Sequence, residues 1–348
     1  MNKVLHLTDC TSGGVPAVVA HLMSADESHA VFLGQPPAGF PFAERMVALD
    51  RGGRSLNPVR VARRLLGLAR VLRQHRPDVL HAHSSFAGFY AAMLRPVWRG
   101  RVIYTPHASP RLDPTPGLLG RVLRGLEHVS CAAADLVLAC SPDEARVLER
   151  TPLATRVLVL PNGVPELAPA PPDAAVRGHD VVAVGRACLQ KDPQMFARIA
   201  HLVRQRDPGV RFAWIGGGKL PGIEHADAVD WLGPRSEAQV ERALLDAHVF
   251  VSTSRYEGLS LAALKAAAAG CALVLRDTPG TRAPAELGAE AQLFVHEKQA
   301  ADAVLALLAL HEGTASQRTH RRDQAAQRFS LRRQLHRTRR LYNALTVR

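Results

Sequence analysis

Short apolar segments alternate with helical segments along nearly the whole chain, and this alternation constrains the fold more than any other feature of the sequence. Strands are predicted at residues 3–8, 79–82, 101–105, 136–139, 157–160, 180–184, 211–215, 229–232, 249–252 and 272–276. A first helix is predicted from Val15, and others at 58–74, 85–95, 117–134, 142–150, 193–205, 237–247, 259–269, 299–311 and 331–345. Buried strands that are joined by helices form parallel sheets. The sequence therefore predicts an α/β fold.

A segment rich in proline and alanine, Pro161–Arg177, interrupts the alternation near the middle of the chain. Such a composition is typical of a linker. A chain of 348 residues is long enough for two domains, each with its own core. We predict a first domain at 1–162, a linker at 163–178, a second domain at 179–327 and an Arg-rich terminal helix within 328–348. Ligands of paired α/β domains usually bind in the cleft between them.

The composition limits the kinds of partner and compartment. The net charge is +13, and the basic excess lies in residues 1–160 and 318–348, whereas 161–317 are slightly acidic. This distribution would suit nucleic acid, anionic lipid or a phosphorylated substrate. The five cysteines are scattered and lack CxxC spacing, which indicates small buried side chains in a reducing compartment. We expect neither a signal peptide nor a transmembrane helix, because the apolar runs are too short.

The most informative segment is VVAVGRACLQK, Val181–Lys191. A predicted strand ends at Gly185, and Arg186 and Lys191 follow before a helix that begins at Pro193. Two cations beside a helix N-terminus, at the carboxyl end of a strand, form a suitable site for a diphosphate. An ordinary basic surface loop is the alternative, and this segment alone does not decide between them.

Two further segments have the composition of ligand-binding loops. Residues 252–270, STSRYEGLSLAALKAAAAG, place Glu257 in the predicted first turn of a helix that ends at Gly270. A carboxylate there either accepts hydrogen bonds from sugar hydroxyls or only caps the helix. Three glycines, Gly216–Gly218, follow another strand, where they either let the backbone approach a ligand closely or form a simple turn.

Taken together, these segments resemble the retaining glycosyltransferases of family 4, which have the GT-B architecture. The matching segments, in chain order, are Gly13–Gly14, DVLHAHSSFAG (78–88), VIYTPHASP (102–110), ADLVLACSPDEARVL (134–148), LPNGV (160–164), VGRACLQK (184–191), WIGGG (214–218), VDWLGPR (229–235) and AHVFVSTSRYEGLSLAALKAAAAGCALVL (247–275). The resemblance covers nearly the whole chain. It implies two Rossmann-like domains with parallel sheets that face each other across a cleft, and a terminal helix (328–342) that crosses back onto the first domain.

The resemblance also implies roles for single residues. Arg186 and Lys191 match the pair that binds the donor diphosphate, and Gly13–Gly14 match the loop that closes over the reaction centre. His107 matches the family's histidine near the transferred sugar, and Glu257 matches the first glutamate of the E-x7-E motif, which contacts that sugar. The predicted catalytic residues are therefore His107, Arg186, Lys191 and Glu257. The predicted donor site also includes Gly13, Gly14, Gly216, Gly217, Gly258, Leu259 and Lys265.

The chain departs from the family pattern in two places. The second glutamate of the motif usually faces the ribose, but this chain has Lys265 at that position. A lysine implies a different nucleotide contact, a pairing with phosphate, or a donor site that no longer works. The segment PGTRAP, 279–284, stands where the family commonly has a glycine and then a glutamate, and Glu286 is out of register.

His81, His83 and Ser84 are predicted to line the acceptor site, because the two histidines flank Ala82 at a strand end and point to one side of it. A metal bound by the two histidines is not expected, because the sequence offers no evident third ligand and no Asp-x-Asp pair. We therefore predict no metal and no cofactor beyond the nucleotide-sugar substrate.

Two basic segments allow more than one interpretation. Residues 58–76 form an amphipathic helix that would suit an anionic membrane. We favour an outer helix whose apolar stripe faces its own sheet, with its arginines still able to touch lipid. The arginines of residues 318–348 suggest nucleic acid, but aromatic residues for stacking are not interleaved with them, so nucleic acid is not expected as a partner.

The sequence thus predicts an enzyme that transfers a hexose from a UDP- or GDP-sugar, with retention, to a glycan or glycolipid acceptor in bacterial polysaccharide or lipopolysaccharide biosynthesis. The expected partners are the donor, a glycan or lipid-linked acceptor and an anionic membrane surface, reached from the cytoplasm. The alternative, motivated by Lys265, is a non-catalytic protein that binds sugar nucleotides or glycans within a polysaccharide assembly complex.

Overall fold

The computed structural model of the chain describes residues 2–113, 117–151, 156–167, 178–218, 221–310 and 314–346. The chain divides into two compact units. Unit 1 contains Met1–Asn162 and Arg332–Arg348, and unit 2 contains Gly163–Leu331. Each unit has a sheet of parallel strands, with seven strands in unit 1 and six in unit 2. The predicted α/β class with two parallel sheets is confirmed.

The sheet of unit 1 is built from strands that are buried over most of their length. Its strands are β1 (Val4–Thr8), β2 (His29–Phe32), β3 (Met46–Ala48), β4 (Val79–His83), β5 (Arg101–Thr105), β6 (Leu136–Ala139) and β7 (Val157–Val159). Their order is β3-β2-β1-β4-β5-β6-β7. The helices that pack around it are α1 (Gly14–Met23), α2 (Pro58–His75), α3 (Ser85–Leu94), α4 (Leu118–Ala133) and α5 (Pro142–Glu149). This arrangement places the ends of β1, β4 and β5 side by side.

Unit 2 repeats the strand–helix alternation around a six-stranded sheet. Its strands are β8 (Val181–Val184), β9 (Phe212–Ile215), β10 (Asp230–Gly233), β11 (Val249–Ser252), β12 (Ala272–Arg276) and β13 (Ala291–Phe294), in the order β10-β9-β8-β11-β12-β13. Its helices are α6 (Pro193–Arg206), α7 (Glu237–Asp246), α8 (Leu261–Ala269), α9 (Ala283–Glu286), α10 (Glu297–Ala309) and α11 (Thr314–Phe329). The strands β8, β9 and β11 are neighbours, so the loops after them meet at one edge of the sheet.

The apolar stripe of α2 faces the core of unit 1, as favoured from the sequence. Leu68, Val71 and Leu72 are buried in the cluster that also contains side chains of β1 and β4. Arg64 corrects the expectation that the arginines of this helix face outward. Its side chain is 2% exposed, and its guanidinium donates hydrogen bonds to the carbonyl oxygens of Gly52–Gly53 at 2.9 and 3.0 Å.

The last helix, α12 (Leu331–Thr346), returns the chain to unit 1. Gln334, Thr338 and Tyr342 recur every four residues and form its buried face. Tyr342 joins an apolar cluster with residues of β1, β4, β5 and β6. The arginines predicted to be clustered on this helix are all exposed: Arg332, Arg333, Arg337, Arg339 and Arg340. The helix therefore contributes core on one face and positive charge on the other.

The sequence patterns miss five elements, namely β2, β3, β13, α9 and α11. The strands β3 and β13 lie at sheet edges and are partly exposed; β3 has only three residues, and Gln292 interrupts the apolar run of β13. The helix α11 carries few apolar residues, so its sequence has little helical periodicity. Of the predicted linker, residues 168–177 lie outside the described part of the chain. Val164, at its start, forms a parallel bridge with Ser330.

The cysteine prediction is confirmed for three residues and corrected for two. Cys131, Cys140 and Cys271 are buried, whereas Cys10 and Cys188 are partly exposed, and all five are free thiols. In the described part of the chain, none of the helices combines the length and the apolar character that crossing a bilayer requires.

Candidate functional site

The loop between β8 and α6, Gly185–Asp192, carries both predicted diphosphate cations. Arg186 is exposed, and within the described residues it has neither a hydrogen bond nor an ion pair. Asp192 closes the loop with φ at 51°, and its carboxylate caps α6 by accepting a hydrogen bond from the Met195 amide at 3.3 Å. A positive φ strains a residue other than glycine, so this turn requires support from its surroundings.

Two arginines supply that support. Arg255 Nε and Arg276 Nη1 donate hydrogen bonds to the Asp192 carboxylate at 3.1 and 3.0 Å. Thr253 Oγ1 also donates to the carbonyl oxygens of Lys191 and Asp192, at 2.8 and 3.0 Å. The loop that carries Lys191 is therefore fixed by the segment that follows β11 and by Arg276 at the end of β12.

Lys191 and Glu257, which are both predicted site residues, form an ion pair in the structure. Ser254 Oγ donates a second hydrogen bond to the same Glu257 oxygen at 2.8 Å. The side chains of Lys191 and Glu257 are 21% and 10% exposed, so the pair is accessible to a ligand without being fully solvated. The structure thus brings one predicted cation and the predicted sugar-binding carboxylate into direct contact.

The three glycines after β9 pack against the donor loop rather than leaving open space. A Cβ atom on Gly216 would lie 2.0 Å from the Gly185 carbonyl oxygen, and one on Gly218 would lie 2.7 Å from the Ala187 carbonyl oxygen. The Ala187 amide donates to the Gly217 carbonyl oxygen at 2.8 Å. Gly216 and Gly218 are therefore required for the contact between the two loops, and contact of Gly216 and Gly217 with a ligand stays a prediction.

Glu257 does not lie in the first turn of a helix, which corrects the sequence-based assignment. The helix α8 begins at Leu261, because Ser260 caps it by accepting a hydrogen bond from the Ala263 amide at 3.3 Å. Glu257, Gly258 and Leu259 belong to the preceding loop. The Glu257 amide donates to the Pro279 carbonyl oxygen at 3.0 Å, so the loop is supported by the segment after β12.

The segment PGT, Pro279–Thr281, supports the loop that carries Glu257, and this role was not predicted from the sequence. Gly280 has φ at 71°, and a Cβ atom there would lie 1.8 Å from the Glu257 carbonyl oxygen. Thr278 Oγ1 also donates to the Ser254 carbonyl oxygen at 2.7 Å. The sequence did contain one signal for this support, namely Gly280 in the segment PGTRAP. A glycine at such a position indicates that another part of the backbone approaches closely.

Lys265, the residue that replaces the family's second glutamate, lies on α8 with its side chain 14% exposed. Its ammonium forms an ion pair with Glu237, the first residue of α7. Glu237 is 63% exposed at its side chain, so its carboxylate reaches solvent while the lysine beneath it is largely covered. The Glu237 carboxylate of α7 thus lies beside Lys265, the position at which the chain differs from the family motif.

In unit 1, the predicted acceptor residue His81 is fully engaged with protein groups. Its Nδ1 hydrogen-bonds the Tyr342 hydroxyl at 2.8 Å, and its Nε2 hydrogen-bonds Thr105 Oγ1 at 2.8 Å. Burial lowers the pKa of His81 well below its ordinary value, so the ring is neutral. These contacts attach α12 to the sheet, and a role of His81 in acceptor binding stays a prediction.

His83 and His107 form part of a chain of hydrogen-bonded rings. His83 Nε2 lies 3.0 Å from His6 Nδ1, and His83 Nδ1 lies 2.8 Å from His107 Nε2. His107 Nδ1 in turn lies 3.5 Å from Cys140 Sγ. Burial lowers the pKa of His6 and of His107 to about 4, so the chain is uncharged near neutral pH.

The turn that carries His107 is strained and is held by a glutamate that sequence reasoning missed. His107 and Ala108 have φ at 58° and 136°. Glu144 Oε1 accepts hydrogen bonds from the amides of Ala108 and Ser109, both at 2.9 Å. Glu144 lies within the quoted segment ADLVLACSPDEARVL, but nothing in that local pattern indicates that it reaches a turn after another strand.

Ser84, at the end of β4, donates a hydrogen bond to the Asp9 carboxylate at the end of β1. Asp9 also accepts a hydrogen bond from Arg54 Nε at 2.5 Å. Ser84 has φ at 93°, so this position is a strained junction between β4 and α3. Asp9 and Arg54 were not among the predicted residues, although both lie beside the predicted acceptor residue Ser84.

Gly13 and Gly14 lie at the exposed start of α1. Gly13 has φ at 82°, which favours glycine, and a Cβ atom there would meet nothing within 4 Å. The positions are therefore open on the surface of unit 1, and their part in closing over a reaction centre stays a prediction.

The statement that no third ligand accompanies His81 and His83 is wrong. His6 on β1 lies beside both, and one ligand nitrogen from each of the three rings falls within 4.8 Å of the others. However, five of the six ring nitrogens already have hydrogen-bond partners, and only His6 Nε2 is unpaired among the described residues. A dication would have to displace these hydrogen bonds, and the absence of a metal stays a prediction.

Comparison with known proteins places both units in related families. Residues 12–166 match the model described as Glycosyltransferase Family 4, and residues 178–311 match the model described as Glycosyl transferases group 1. The GDP-mannose:cellobiosyl-diphosphopolyprenol alpha-mannosyltransferase of Xanthomonas oryzae pv. oryzae is 25% identical over 216 residues, which are 58% of this chain and 56% of that protein. The glycogen synthase of Mycobacterium tuberculosis is 28% identical over 301 residues, which are 80% of this chain and 71% of that protein.

The first curated relatives are matched over only about half of their length. Among solved structures, Anabaena Alr3699/HepE in complex with UDP and glucose has a TM-score of 0.82 at 16% identity, and the match covers 99% of this chain and 100% of that chain. At such low identity the likeness concerns the fold.

Proposed function

Because the chain belongs to the glycosyltransferases of family 4 and group 1 and has their GT-B fold, we propose that it transfers a hexose from a nucleotide-diphosphate sugar to a glycan or lipid-linked acceptor with retention. UDP and GDP are the proposed nucleotides. Support for UDP comes from the solved neighbour in complex with UDP and glucose, and support for GDP from the relative named for GDP-mannose. The acceptor is proposed to belong to bacterial cell-surface polysaccharide or lipopolysaccharide biosynthesis.

The observation that carries the proposal is the contact between Lys191 and Glu257. Arg186 lies in the same loop as Lys191 and has no hydrogen-bond or ion-pair partner among the described residues. Transfer requires stabilisation of the charge that develops on the leaving diphosphate. Arg186 and Lys191 would supply it, and the loss of one such contact costs about 2.7–4 kcal/mol of barrier. Glu257, released from Lys191 by the diphosphate, would accept hydrogen bonds from the sugar hydroxyls.

The acceptor is proposed to bind unit 1 near Ser84. The Asp9 carboxylate and the Arg54 guanidinium lie beside this serine and offer an acceptor and a donor for sugar hydroxyls. The proton of the attacking hydroxyl would pass to an oxygen of the leaving diphosphate in a same-face attack, as the family resemblance implies. No metal has a role in this scheme.

Attachment to an anionic membrane surface, on the cytoplasmic side, is the second part of the proposal. The exposed arginines of α12 support it, since basic residues near an anionic surface contribute about 1 kcal/mol each. A lipid-linked acceptor would then be bound where it is made.

The decisive experiment compares Lys191→Ala with Lys298→Ala, an exposed lysine of α10, in a transfer assay and in calorimetry with UDP, GDP and their sugars. We expect Lys191→Ala to lose transfer and nucleotide binding, while Lys298→Ala behaves as the wild type. Tight nucleotide binding by the wild type without turnover on a broad acceptor panel would favour the non-catalytic alternative. Equal transfer by both variants would refute the donor site.

A further inference from the structure

Asp192 places a negative charge at the end of the donor loop, Gly185–Asp192, in which a diphosphate is proposed to bind. The other charged side chains of this loop and of the residues that bond Asp192 are cationic, namely Arg186, Lys191, Arg255 and Arg276. The Asp192 side chain is only 9% exposed, so solvent screens its charge weakly. An anion bound in this loop is repelled by such a carboxylate, and a functional reason for it must outweigh this repulsion.

Neither the turn nor the helix cap at this position requires an aspartate. The φ of 51° at Asp192 lies in the left-handed region, which favours glycine. The carboxylate caps α6 by accepting the Met195 amide at 3.3 Å, but replacing a capping side chain by glycine costs a helix little stability. A glycine would therefore serve the local backbone about as well and would not repel a diphosphate.

The carboxylate also makes contacts that a glycine could not make. Arg255 Nε and Arg276 Nη1 both donate to Asp192 Oδ2, at 3.1 and 3.0 Å. Hydrogen bonds between charged groups are stronger than those between neutral groups. Arg276 Nη1 also donates to the Thr253 carbonyl oxygen at 3.3 Å. Arg276 thus connects the end of the donor loop to the segment after β11.

The backbone on both sides of Lys191 is attached to the same segment. Thr253 Oγ1 donates to the carbonyl oxygens of Lys191 and Asp192, at 2.8 and 3.0 Å. The Arg255 amide donates to the Gln190 carbonyl oxygen at 2.8 Å. The Lys191 side chain therefore starts from a backbone whose position depends on these contacts. An ammonium binds a phosphate oxygen only at about 2.7–2.9 Å, so a shift of the loop would weaken that contact.

We propose that Asp192 is a positioning residue for Lys191: held by Arg255 and Arg276, its carboxylate fixes the end of the donor loop and so places Lys191 to bind the diphosphate. The identity of the ligand rests on the proposed function. The fixed loop is a property of unit 2 and exists without a ligand. The gain from a correctly placed cation exceeds the repulsion from one carboxylate, because a misplacement of about 1 Å can cost a hundredfold in rate.

The test is the binding of inorganic pyrophosphate to Asp192→Asn, measured by calorimetry. The amide oxygen of the variant can still cap α6, but it has no charge with which to hold two guanidinium groups. If Asp192 acted only through its charge, the variant would bind pyrophosphate more tightly than the wild type. Positioning predicts the opposite sign, with binding weaker by roughly tenfold. Equal or tighter binding would overturn the proposal.

Two further variants serve as the control and as the test of Arg276. Asp180→Asn removes a carboxylate at the opposite end of β8, where it accepts the Arg211 amide at 2.9 Å, and should bind pyrophosphate as the wild type does. Arg276→Lys keeps the positive charge but cannot reproduce the guanidinium contacts, so it should weaken binding alone. Added to Asp192→Asn, it should weaken binding no further, because Arg276 acts through Asp192. Equal losses in Asp180→Asn and Asp192→Asn, or additive losses in the double variant, would contradict the proposal.

Hydrogen exchange of the unliganded protein judges the loop independently of any ligand. The amides of Lys191 and Asp192 donate to the Cys188 carbonyl oxygen at 3.0 and 3.1 Å. We expect both amides to exchange roughly tenfold faster in Asp192→Asn and at the wild-type rate in Asp180→Asn. Unchanged exchange in Asp192→Asn would overturn the inference. A wild type that binds UDP but transfers no sugar would refute the proposed function alone, and the exchange rates would still decide whether Asp192 fixes the loop.

Discussion

The Lys191 ammonium is paired with the Glu257 carboxylate, so the predicted phosphate-binding cation and the predicted sugar-binding acid neutralise each other in the structure. Both side chains are partly accessible, and Ser254 Oγ holds the same carboxylate oxygen at 2.8 Å. A diphosphate that binds Lys191 must compete with Glu257. The competition would release the carboxylate at the moment when a sugar arrives beside it, which links phosphate binding to sugar binding.

Glu257→Gln is therefore expected to strengthen the binding of UDP or GDP and to abolish transfer. The amide carries no charge to compete for Lys191, and a partly exposed ion pair contributes up to about 1 kcal/mol, so the gain in affinity should reach roughly fivefold. Calorimetry with the free nucleotides and a transfer assay measure the two effects. Glu286→Gln, which alters a glutamate outside the loop, serves as the control, and weaker UDP binding by Glu257→Gln would contradict the competition.

Glu237→Gln is expected to weaken the binding of UDP and GDP while leaving the binding of inorganic pyrophosphate unchanged. Lys265 presents the Glu237 carboxylate beside the position at which the family's glutamate faces the ribose, so Glu237 would accept the ribose hydroxyls instead. Competition between nucleotides and pyrophosphate, monitored by calorimetry, distinguishes binding of the nucleoside from binding of the diphosphate. The matched control is Glu241→Gln on the same helix, and equal effects of the two variants would rule out this role.

Glu127→Gln is expected to stabilise the protein more at about pH 8 than at about pH 5. Burial raises the pKa of Glu127 from 4.5 to about 7, so the folded protein binds this proton more tightly than the unfolded chain. The free energy of unfolding consequently falls as the pH rises from about 4.5 to about 7, because the buried carboxyl group must ionise. A glutamine cannot ionise, so the variant does not lose this stability. The measurement is the thermal midpoint of variant minus wild type at each pH.

The histidines with lowered pKa values change stability with pH in the direction opposite to Glu127. His6 and His107 destabilise the fold as the pH falls below their ordinary value toward about 4. They are present in both proteins, so their contribution cancels in the difference. A midpoint difference that is the same at both pH values would show that Glu127 has an ordinary pKa.

Substitution of three exposed arginines of α12 by glutamine is expected to weaken binding to anionic vesicles by roughly a hundredfold, since each contributes about 1 kcal/mol near such a surface. The positions are Arg332, Arg337 and Arg340. Flotation with vesicles rich in phosphatidylglycerol, at low and high salt, measures the effect. Neutral vesicles should bind neither protein.

The control for charge alone is a triple variant of exposed arginines in unit 2, at Arg204, Arg206 and Arg235. It removes the same charge from another surface and should float like the wild type. If the two triple variants lose binding equally, the attraction comes from net charge and not from α12.

The donor loop was predictable because its information is local. The residues of VGRACLQK lie between a strand and a helix, and Lys191 and Arg186 follow from that order alone. The prediction that Glu257 lies in the first turn of α8 was wrong because the hydroxyl of Ser260 caps this helix. Glu257 therefore lies in the loop before the helix. The sequence pattern of alanines and leucines continues through both positions and does not mark the boundary.

The histidine chain was not predictable in the same way, because its members come from three separate strands. His6 pairs with His83 across 77 residues of sequence, and Glu144 reaches Ala108 across 36. Only the strand order, with β1 beside β4 and β4 beside β5, brings these side chains together. A reading of single segments finds His81 and His83 but has no means to add His6 as their neighbour.

The return of α12 to unit 1 has a consequence for synthesis on the ribosome. Unit 2 is one continuous stretch, Gly163–Leu331, whereas unit 1 needs residues from both sides of that stretch. Tyr342 fills the cluster beneath β1, β4, β5 and β6 and bonds His81, so this core stays open while the whole of unit 2 is translated. Unit 2 can thus finish folding before unit 1, although its synthesis starts later. Until α12 is made, unit 1 exposes apolar surface to which a chaperone can bind on the nascent chain.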